Sequence, residues 1–174
     1  AFARLYHSTA LLLPDGRVLI AGGGAPGPLV NLNAEIYSPP YLFSGPGTLA
    51  QRPTIVSAPD TLDIGQAFSL GFGNAASISR VTLVKTGSVT HSWNMDQRFT
   101  ELSFSASGAM LNVQMPTRAS DATPGFYMLF VLNANGFNPD TVTVSTKQNT
   151  IPGTAIATEF YHAGFDHYFH TADE

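Results

Sequence analysis

Apolar residues in the first fifty positions come in short runs that turn residues separate. Two of these runs, "STALLL" and "RVLIAGG", flank the tripeptide Pro14-Asp15-Gly16. Proline presets φ for a turn and glycine accepts a positive φ, so the pattern predicts a β-hairpin over residues 8–24. After a loop rich in glycine, proline and asparagine, "NAEIYSPPYLF" predicts one more short strand.

The glycine run Gly22-Gly23-Gly24 closes the second strand of this hairpin. It allows a bulge or a close approach of two backbone segments, and it lacks the spacing and the following helix of a phosphate-binding loop. The order of strand, turn, strand, glycine run, loop and strand is typical of a kelch-type propeller blade, which we expect at residues 1–50. One blade cannot bury its own faces, so we expect its neighbours upstream in a longer chain.

Residues 51–147 carry strand patterns at short, regular spacing, without an amphipathic helix. The runs are "TIVSAP", "AFSLGF", "SRVTLVKTG", "TELSFSAS", "MLNVQMP", "GFYMLFVLN" and "DTVTVST". They predict an immunoglobulin-like β-sandwich, although not one of antibody type, because the Cys…Trp…Cys pattern is missing. "GPGTLAQRP" (45–53) and "KQNTIPGTA" are predicted linkers. Residues 148–174 then hold the second linker and the start of an aromatic-rich repeat, so the whole chain is predicted to be all-β.

Composition excludes several classes of function. Charged residues make up 11% of the chain and the net charge is −4, which gives no basic surface for nucleic acid. No run of about twenty apolar residues exists, so no membrane span is predicted. The absence of cysteine excludes a zinc–cysteine site, a thiol nucleophile and an internal disulfide. Low charge and the lack of thiols are compatible with an exported protein.

Histidines are therefore the most informative residues for chemistry. His7 follows Tyr6 at the entry to the hairpin, and His91 begins a loop after a sandwich strand, where it could face a neighbouring domain. Neutral imidazole suits copper and zinc, and a phenolate shifts the preference towards a redox metal. Either histidine could equally be a hydrogen-bonded structural residue. Neighbours on a strand point to opposite faces, so Tyr6 and His7 can share a metal only where the chain bends.

Other residues around these positions allow two interpretations each. Trp93 could stack on a site at His91, but we expect it to cover the edge of the sandwich loop. The segment Asp96-Gln97-Arg98 could support His91 or only brace its loop. In the tail, we expect the three remaining histidines to belong to a small aromatic repeat rather than to a metal site; they are His162, His167 and His170.

Four segments together resemble the carboxy-terminal part of the galactose oxidase and glyoxal oxidase family of copper radical oxidases. They are "RLYHSTALLLPDGRVLIAGGG", "NAEIYSPPYL", "GSVTHSWNMDQRFTELSF" and "PGFYMLFVLNANG", in the family's order, and the resemblance covers residues 4–145. In that family a seven-bladed kelch propeller holds one copper, and an immunoglobulin-like domain lends a ligand. The resemblance implies that Tyr6, His7 and His91 bind Cu²⁺, and that Tyr6 is the catalytic base. The family's radical-carrying tyrosine, cross-linked to a cysteine, would lie upstream of this chain.

The implied function is oxidation of a primary alcohol, a sugar or an aldehyde by O₂, which yields H₂O₂. Upstream propeller blades of the same chain would complete the enzyme, since these residues alone lack the Cys–Tyr pair. The alternative is a non-catalytic carbohydrate- or protein-binding module with a vestigial metal site. The tail pattern resembles short repeats of exported bacterial proteins, so we expect a secreted or cell-surface location. The loop "APGPLVNLN" lacks a disulfide that the family often carries, so substrate preference is not implied.

Overall fold

The computed structural model describes residues 3–75, 77–91 and 93–134 fully, and the backbone of residues 141–151, 157–162 and 167–172. Throughout these residues the regular structure is β-strand, apart from one 3₁₀ turn at Pro40–Leu42. The all-β prediction is therefore confirmed. None of the described residues forms a helix of the length and apolarity that crossing a membrane would require.

A three-stranded antiparallel sheet forms the first part of the chain. It contains β1 (Ser8–Leu12), β2 (Val18–Gly22) and β3 (Ala34–Tyr37), with β2 in the centre. Ser8 lies opposite Gly22 in the hairpin, and the turn closes where the Gly16 N–H donates to the Leu13 carbonyl at 3.0 Å. The hairpin and the third strand match the predicted elements. The assignment of this sheet to a propeller blade stays a prediction.

The segment predicted as the first linker is structured and docked. A small hairpin of β4 (Phe43–Gly45) and β5 (Thr48–Leu49) precedes Ala50, which is 6% exposed. Arg52 then donates to the Asp15 carbonyl at 3.0 Å, in the turn of the first hairpin. The expectation of a plain linker at 45–53 is wrong, because these contacts fasten the first sheet to the segment that enters the sandwich.

The sandwich begins at residue 54 and one of its strands belongs to both sheets. The strands are β6 (Thr54–Ser57), β7 (Ala67–Gly73), β8 (Arg80–Lys85), β9 (Val89–Thr90), β10 (Trp93–Asn94), β11 (Phe99–Ser107), β12 (Met110–Gln114), β13 (Gly125–Asn133) and β14 (Thr141–Ile151). The shared strand is β11, whose first half pairs with β8 and whose second half pairs with β12. The strand order is therefore β14-β13-β8-β11 in one sheet and β11-β12-β7-β6 in the other, and β9 and β10 form a hairpin of two residues per strand between β8 and β11.

The hydrophobic core lies between the two sheets of this sandwich. Strand β12 shows the expected alternation, with Leu111 and Val113 buried and the residues beside them exposed. Fully buried aliphatic side chains contribute about 1.5–3 kcal/mol each relative to exposed ones. Among the described residues, six leucine and valine side chains have no exposed surface at all: Leu70, Val81, Leu83, Val113, Leu129 and Val131. This core makes the sandwich a firm support for the loops at its ends.

The end of the chain differs in part from the predicted boundaries. Strand β14 continues past residue 147 to Ile151, so the first residues of the second predicted linker are strand, whereas 152–156 lie outside the described residues. A hairpin of β15 (Ala157–His162) and β16 (His167–Ala172) follows. The structure does not describe the side chains of the tail's aromatic residues and histidines. Their role therefore stays a prediction.

Candidate metal centre

Tyr6 and His7 lie at the two central positions of a tight turn that leads into β1. The Ser8 N–H donates to the Leu5 carbonyl at 3.2 Å, and His7 has a φ of 66°. A positive φ at the third residue is typical of a type II turn. The chain therefore bends where a shared metal requires it to bend. The two rings lie side by side, with centroids 4.0 Å apart, instead of pointing to opposite faces.

The glycine run supports the Tyr6–His7 turn by a backbone hydrogen bond and by close packing. Gly22, Gly23 and Gly24 have φ values of 65°, 106° and 95°, and the Gly24 N–H donates to the Tyr6 carbonyl at 2.8 Å. A Cβ at Gly23 would lie 3.0 Å from that of Ser8, and a Cβ at Gly24 only 1.7 Å from the Leu29 carbonyl oxygen. Glycine alone combines this conformation with this lack of space. The run is a backbone support for the turn, in line with the close approach predicted for it.

Arg4 anchors the segment just ahead of Tyr6. Its side chain is only 7% exposed, and it donates to the Gly22 carbonyl and to the Glu35 carboxylate, each at 2.9 Å. These contacts tie the turn to both β2 and β3. No sequence pattern marks Arg4 as a support of the turn, because a single arginine ahead of a strand is typical of an ordinary surface charge.

His91 lies at the tip of the short hairpin formed by β9 and β10, where Thr90 pairs with Trp93. Its φ of 52° is again positive. The Asn94 side-chain oxygen accepts the N–H groups of Ser88 at 3.1 Å and of Asp96 at 3.2 Å, which closes the loop on itself. This hairpin is too short for a periodic pattern, which is why the sequence did not predict it.

Two of the residues after His91 brace the loop. Asp96 forms an ion pair with Lys85 at 2.9 Å, and Arg98 donates to the Ser120 carbonyl. His91 Nδ1 contacts the Thr90 hydroxyl at 2.7 Å, a partner that the sequence did not suggest. Trp93 is 73% exposed, so the expectation that it covers the loop edge is wrong.

The three predicted ligands converge, although they come from different parts of the fold. The ring centroids of His7 and His91 are 5.0 Å apart, and those of Tyr6 and His91 are 6.0 Å apart. A metal about 2.0–2.1 Å from each ligating nitrogen lies roughly 3.2 Å from each imidazole centroid, so two imidazoles on one metal have centroids up to roughly 6.4 Å apart. The observed separation of the imidazoles fits a shared metal.

The hydrogen bond of His7 fixes its tautomer. His7 Nδ1 lies 2.6 Å from the Ala25 carbonyl oxygen, which can only accept, so Nδ1 donates its N–H and Nε2 is the nitrogen left for a metal. Histidines that bind metals usually donate their other N–H to such an acceptor. The donor set is thus two imidazoles and a phenol. The described residues contain no group of three histidine, cysteine, aspartate or glutamate side chains suited to a metal, so the candidate centre depends on Tyr6 as the third ligand.

Backbone strain also concentrates at this position. Among the described residues other than glycine, those with positive φ are His7, Asn74 and His91. Sparsely populated conformations of this kind cost about 1–3 kcal/mol each and persist where the surrounding structure imposes them. Two of the three strained residues are the histidines that meet, which points to a functional constraint on both turns.

The sandwich matches the family model described as "Galactose oxidase-like, Early set domain" over residues 52–155. The chain belongs to this galactose oxidase-like family. The match confirms the family resemblance and the immunoglobulin-like type of the early set domain. His91 lies within the matched region, whereas Tyr6 and His7 precede it, so the candidate centre joins the early set domain to the sheet before it.

Individual relatives agree with this assignment. A galactose oxidase of Gibberella zeae is 36% identical over 152 residues, which are 85% of this chain and 22% of that protein. The aldehyde oxidase GLOX of Vitis pseudoreticulata is 33% identical over 147 residues, 75% of this chain and 28% of that protein. The solved structure of a fungal alcohol oxidase of the AA5 family, in complex with copper, superimposes with a TM-score of 0.76 at 30% identity, covering 88% of this chain and 32% of that one. The chain thus spans between 22% and 28% of the two curated relatives.

Proposed function

We propose that this chain is part of a copper radical oxidase in which Tyr6, His7 and His91 bind a single copper ion. The observation that carries the proposal is the convergence of these three rings, with centroids 4.0–6.0 Å apart, from the early set domain and the sheet before it. The relatives named as galactose oxidase and aldehyde oxidase, and the alcohol oxidase solved with copper, support the choice of metal and of reaction class.

The chemistry of the donor set fits copper. Imidazole nitrogens suit copper, and a phenolate oxygen is a hard anionic donor that stabilises an oxidised metal. A copper ion held by these residues, together with a tyrosyl radical on a cross-linked Cys–Tyr pair that we place upstream in a longer parent chain, would supply two one-electron acceptors. With O₂ as the final acceptor of two electrons and two protons, which yields H₂O₂, a primary alcohol would become an aldehyde, and the hydrate formed from an aldehyde and water would become an acid.

The residues of this chain would hold the metal and move one proton. The hydrogen bonds at Nδ1 of both histidines fix the ring orientations, so that Nε2 is the nitrogen we assign to the metal. Tyr6 is 53% exposed, which leaves its hydroxyl oxygen within reach of a substrate. We assign to that oxygen the role of base for the substrate hydroxyl proton. Upstream kelch blades and a secreted or cell-surface location are parts of the same proposal.

Copper affinity tests this proposal directly. Competition with a chelator of known affinity should show one tight Cu²⁺ site on the full chain. His7→Ala and His91→Ala should each weaken it by about 100-fold, because each removes a ligand held in a fixed geometry. His167→Ala in the tail is the matched control and should retain the affinity. An unchanged affinity in His91→Ala would contradict the proposal and favour the binding module with a vestigial site.

A further inference from the structure

One close contact joins the two parts of the fold that carry the candidate ligands. A Cβ built on Gly87 would lie 2.5 Å from Leu11 Cδ2 and 3.2 Å from Asn94 Nδ2. Leu11 belongs to β1, which begins directly after His7, and Gly87 lies just before β9, which leads to His91. The backbone of the His91 hairpin therefore rests on a side chain of the strand that carries the other two ligands.

Both sides of this contact are held in place. Leu11 pairs with Leu19 in the centre of the first hairpin. On the other side, the Thr86 N–H donates to the Phe126 carbonyl in β13 at 2.9 Å. Ser88, which directly follows Gly87, donates its N–H to the Asn94 side chain. Hydrogen bonds hold both backbones, so a side chain added at residue 87 has to displace Leu11 Cδ2 or move the His91 hairpin.

The contact also lies four residues along the chain from each of the two histidines. Leu11 follows His7 by four residues, and Gly87 precedes His91 by four residues. At a rise of about 3.3 Å per residue, an extended segment of that length spans roughly 13 Å. A change of separation at the contact therefore reaches both histidines through short, hydrogen-bonded strands.

We propose that Gly87 is a positioning residue, which sets the separation between His91 and the Tyr6–His7 pair through its contact with Leu11. This inference rests on the metal centre proposed above. Gly87 is not among the glycines with positive φ, so a larger residue meets no backbone strain there and acts through its volume alone. Leu11 is the flexible partner, and shortening it makes room for the added side chain.

The experiment compares Gly87→Val with Gly45→Val and with the double variant Gly87→Val/Leu11→Ala. Gly45 lies in β4, has no positive φ, and a Cβ there meets nothing within 4 Å, so it is a matched control. Gly87→Val should weaken Cu²⁺ binding by about tenfold or more and change the Cu²⁺ EPR spectrum. The double variant should restore both, and Gly45→Val should leave both unchanged. Far-UV circular dichroism verifies that each variant is folded.

A second measurement needs no metal and separates this inference from the proposed function. Nuclear Overhauser effects between the ring protons of His7 and His91 should be present in the metal-free chain, absent in Gly87→Val and restored in the double variant. If these effects follow that order while the unaltered chain fails to bind copper, the positioning role stands and the proposed function fails. If Gly87→Val is folded and keeps the ring contacts and the EPR spectrum of the unaltered chain, the positioning role is wrong. A loss that Leu11→Ala does not rescue also overturns it.

Discussion

Gly24→Ala perturbs the backbone support of the Tyr6–His7 turn at its tightest point. The φ of 95° at this position is unfavourable for alanine by about 1–2 kcal/mol. The added Cβ would lie 1.7 Å from the Leu29 carbonyl oxygen, whereas ordinary contacts begin at 3.4 Å, so the backbone has to move. That movement weakens the hydrogen bond from the Gly24 N–H to the Tyr6 carbonyl, which is worth about 1 kcal/mol. The expected loss of stability is roughly 2–3 kcal/mol.

Gly47→Ala is the matched control for this prediction. Gly47 has a φ of 68°, and a Cβ there meets nothing within 4 Å, so it shares the conformational penalty without the clash. Both substitutions reduce the freedom of the unfolded chain equally, and that contribution cancels in the comparison. We expect Gly24→Ala to be more destabilising than Gly47→Ala by at least about 1 kcal/mol, because only Gly24 meets the clash and loses the hydrogen bond.

Urea unfolding followed by far-UV circular dichroism measures the global effect, and hydrogen exchange at the Gly24 and Asn31 amides measures the local one. The Asn31 N–H donates to the Gly23 carbonyl at 2.9 Å, so its exchange reports on the same support. Exchange at both amides should become faster, and Cu²⁺ affinity should fall with it. Stabilities of the two variants within about 0.5 kcal/mol of each other, with unchanged exchange, would refute the reasoning.

Two further predictions concern the fold around the centre. Burial alone would raise the pKa of Asp15, but hydrogen bonds from Arg17 and the charges of Arg17 and Arg52 lower it overall. Its stabilising contribution is therefore present above the unfolded pKa of about 3.9 and is lost as the pH falls through the lower folded value. Asp15→Asn should lower Tm at pH 7, and the difference should shrink below about pH 4; a constant difference would contradict this. Tyr127→Phe removes a buried hydroxyl that donates to the Thr123 carbonyl at 2.7 Å, and urea unfolding should show a loss of about 1–2 kcal/mol. No measurable loss would mean that this bond contributes nothing net.

The sequence predicted the strands well where burial on one face imposes alternation. Strand β12, with Leu111 and Val113 buried between exposed neighbours, has a period of two that the sequence shows directly. The hairpin of β9 and β10 has only two residues in each strand, too few for a period to appear. The docked segment at 45–53 looked like a linker by composition, because its buried residues are only Ala50 and Pro53 and the Arg52 side chain bonds to a carbonyl that is distant in the sequence.

The family resemblance supplied the candidate residues of the centre and not their geometry. The family resemblance implied Tyr6, His7 and His91 as ligands, and it required a bend between the first two. The positive φ at His7 supplies that bend. No local sequence pattern indicates it, because the glycine run that packs against the turn imposes this conformation. Arg4 was missed for a similar reason, because its partner, the Gly22 carbonyl, is distant in the sequence and only the fold brings it near. Thr90 directly precedes His91, but only the geometry of the hairpin tip shows that its hydroxyl meets the ring.

The most direct test of the shared centre is to count the imidazoles on bound Cu²⁺ by pulsed EPR of the full chain. The account predicts two equivalent imidazole couplings in the unaltered chain and one in either His7→Ala or His91→Ala. The same two couplings should remain in His167→Ala. Two couplings that survive the loss of His91, or a single coupling in the unaltered chain, would show that these histidines do not share one metal.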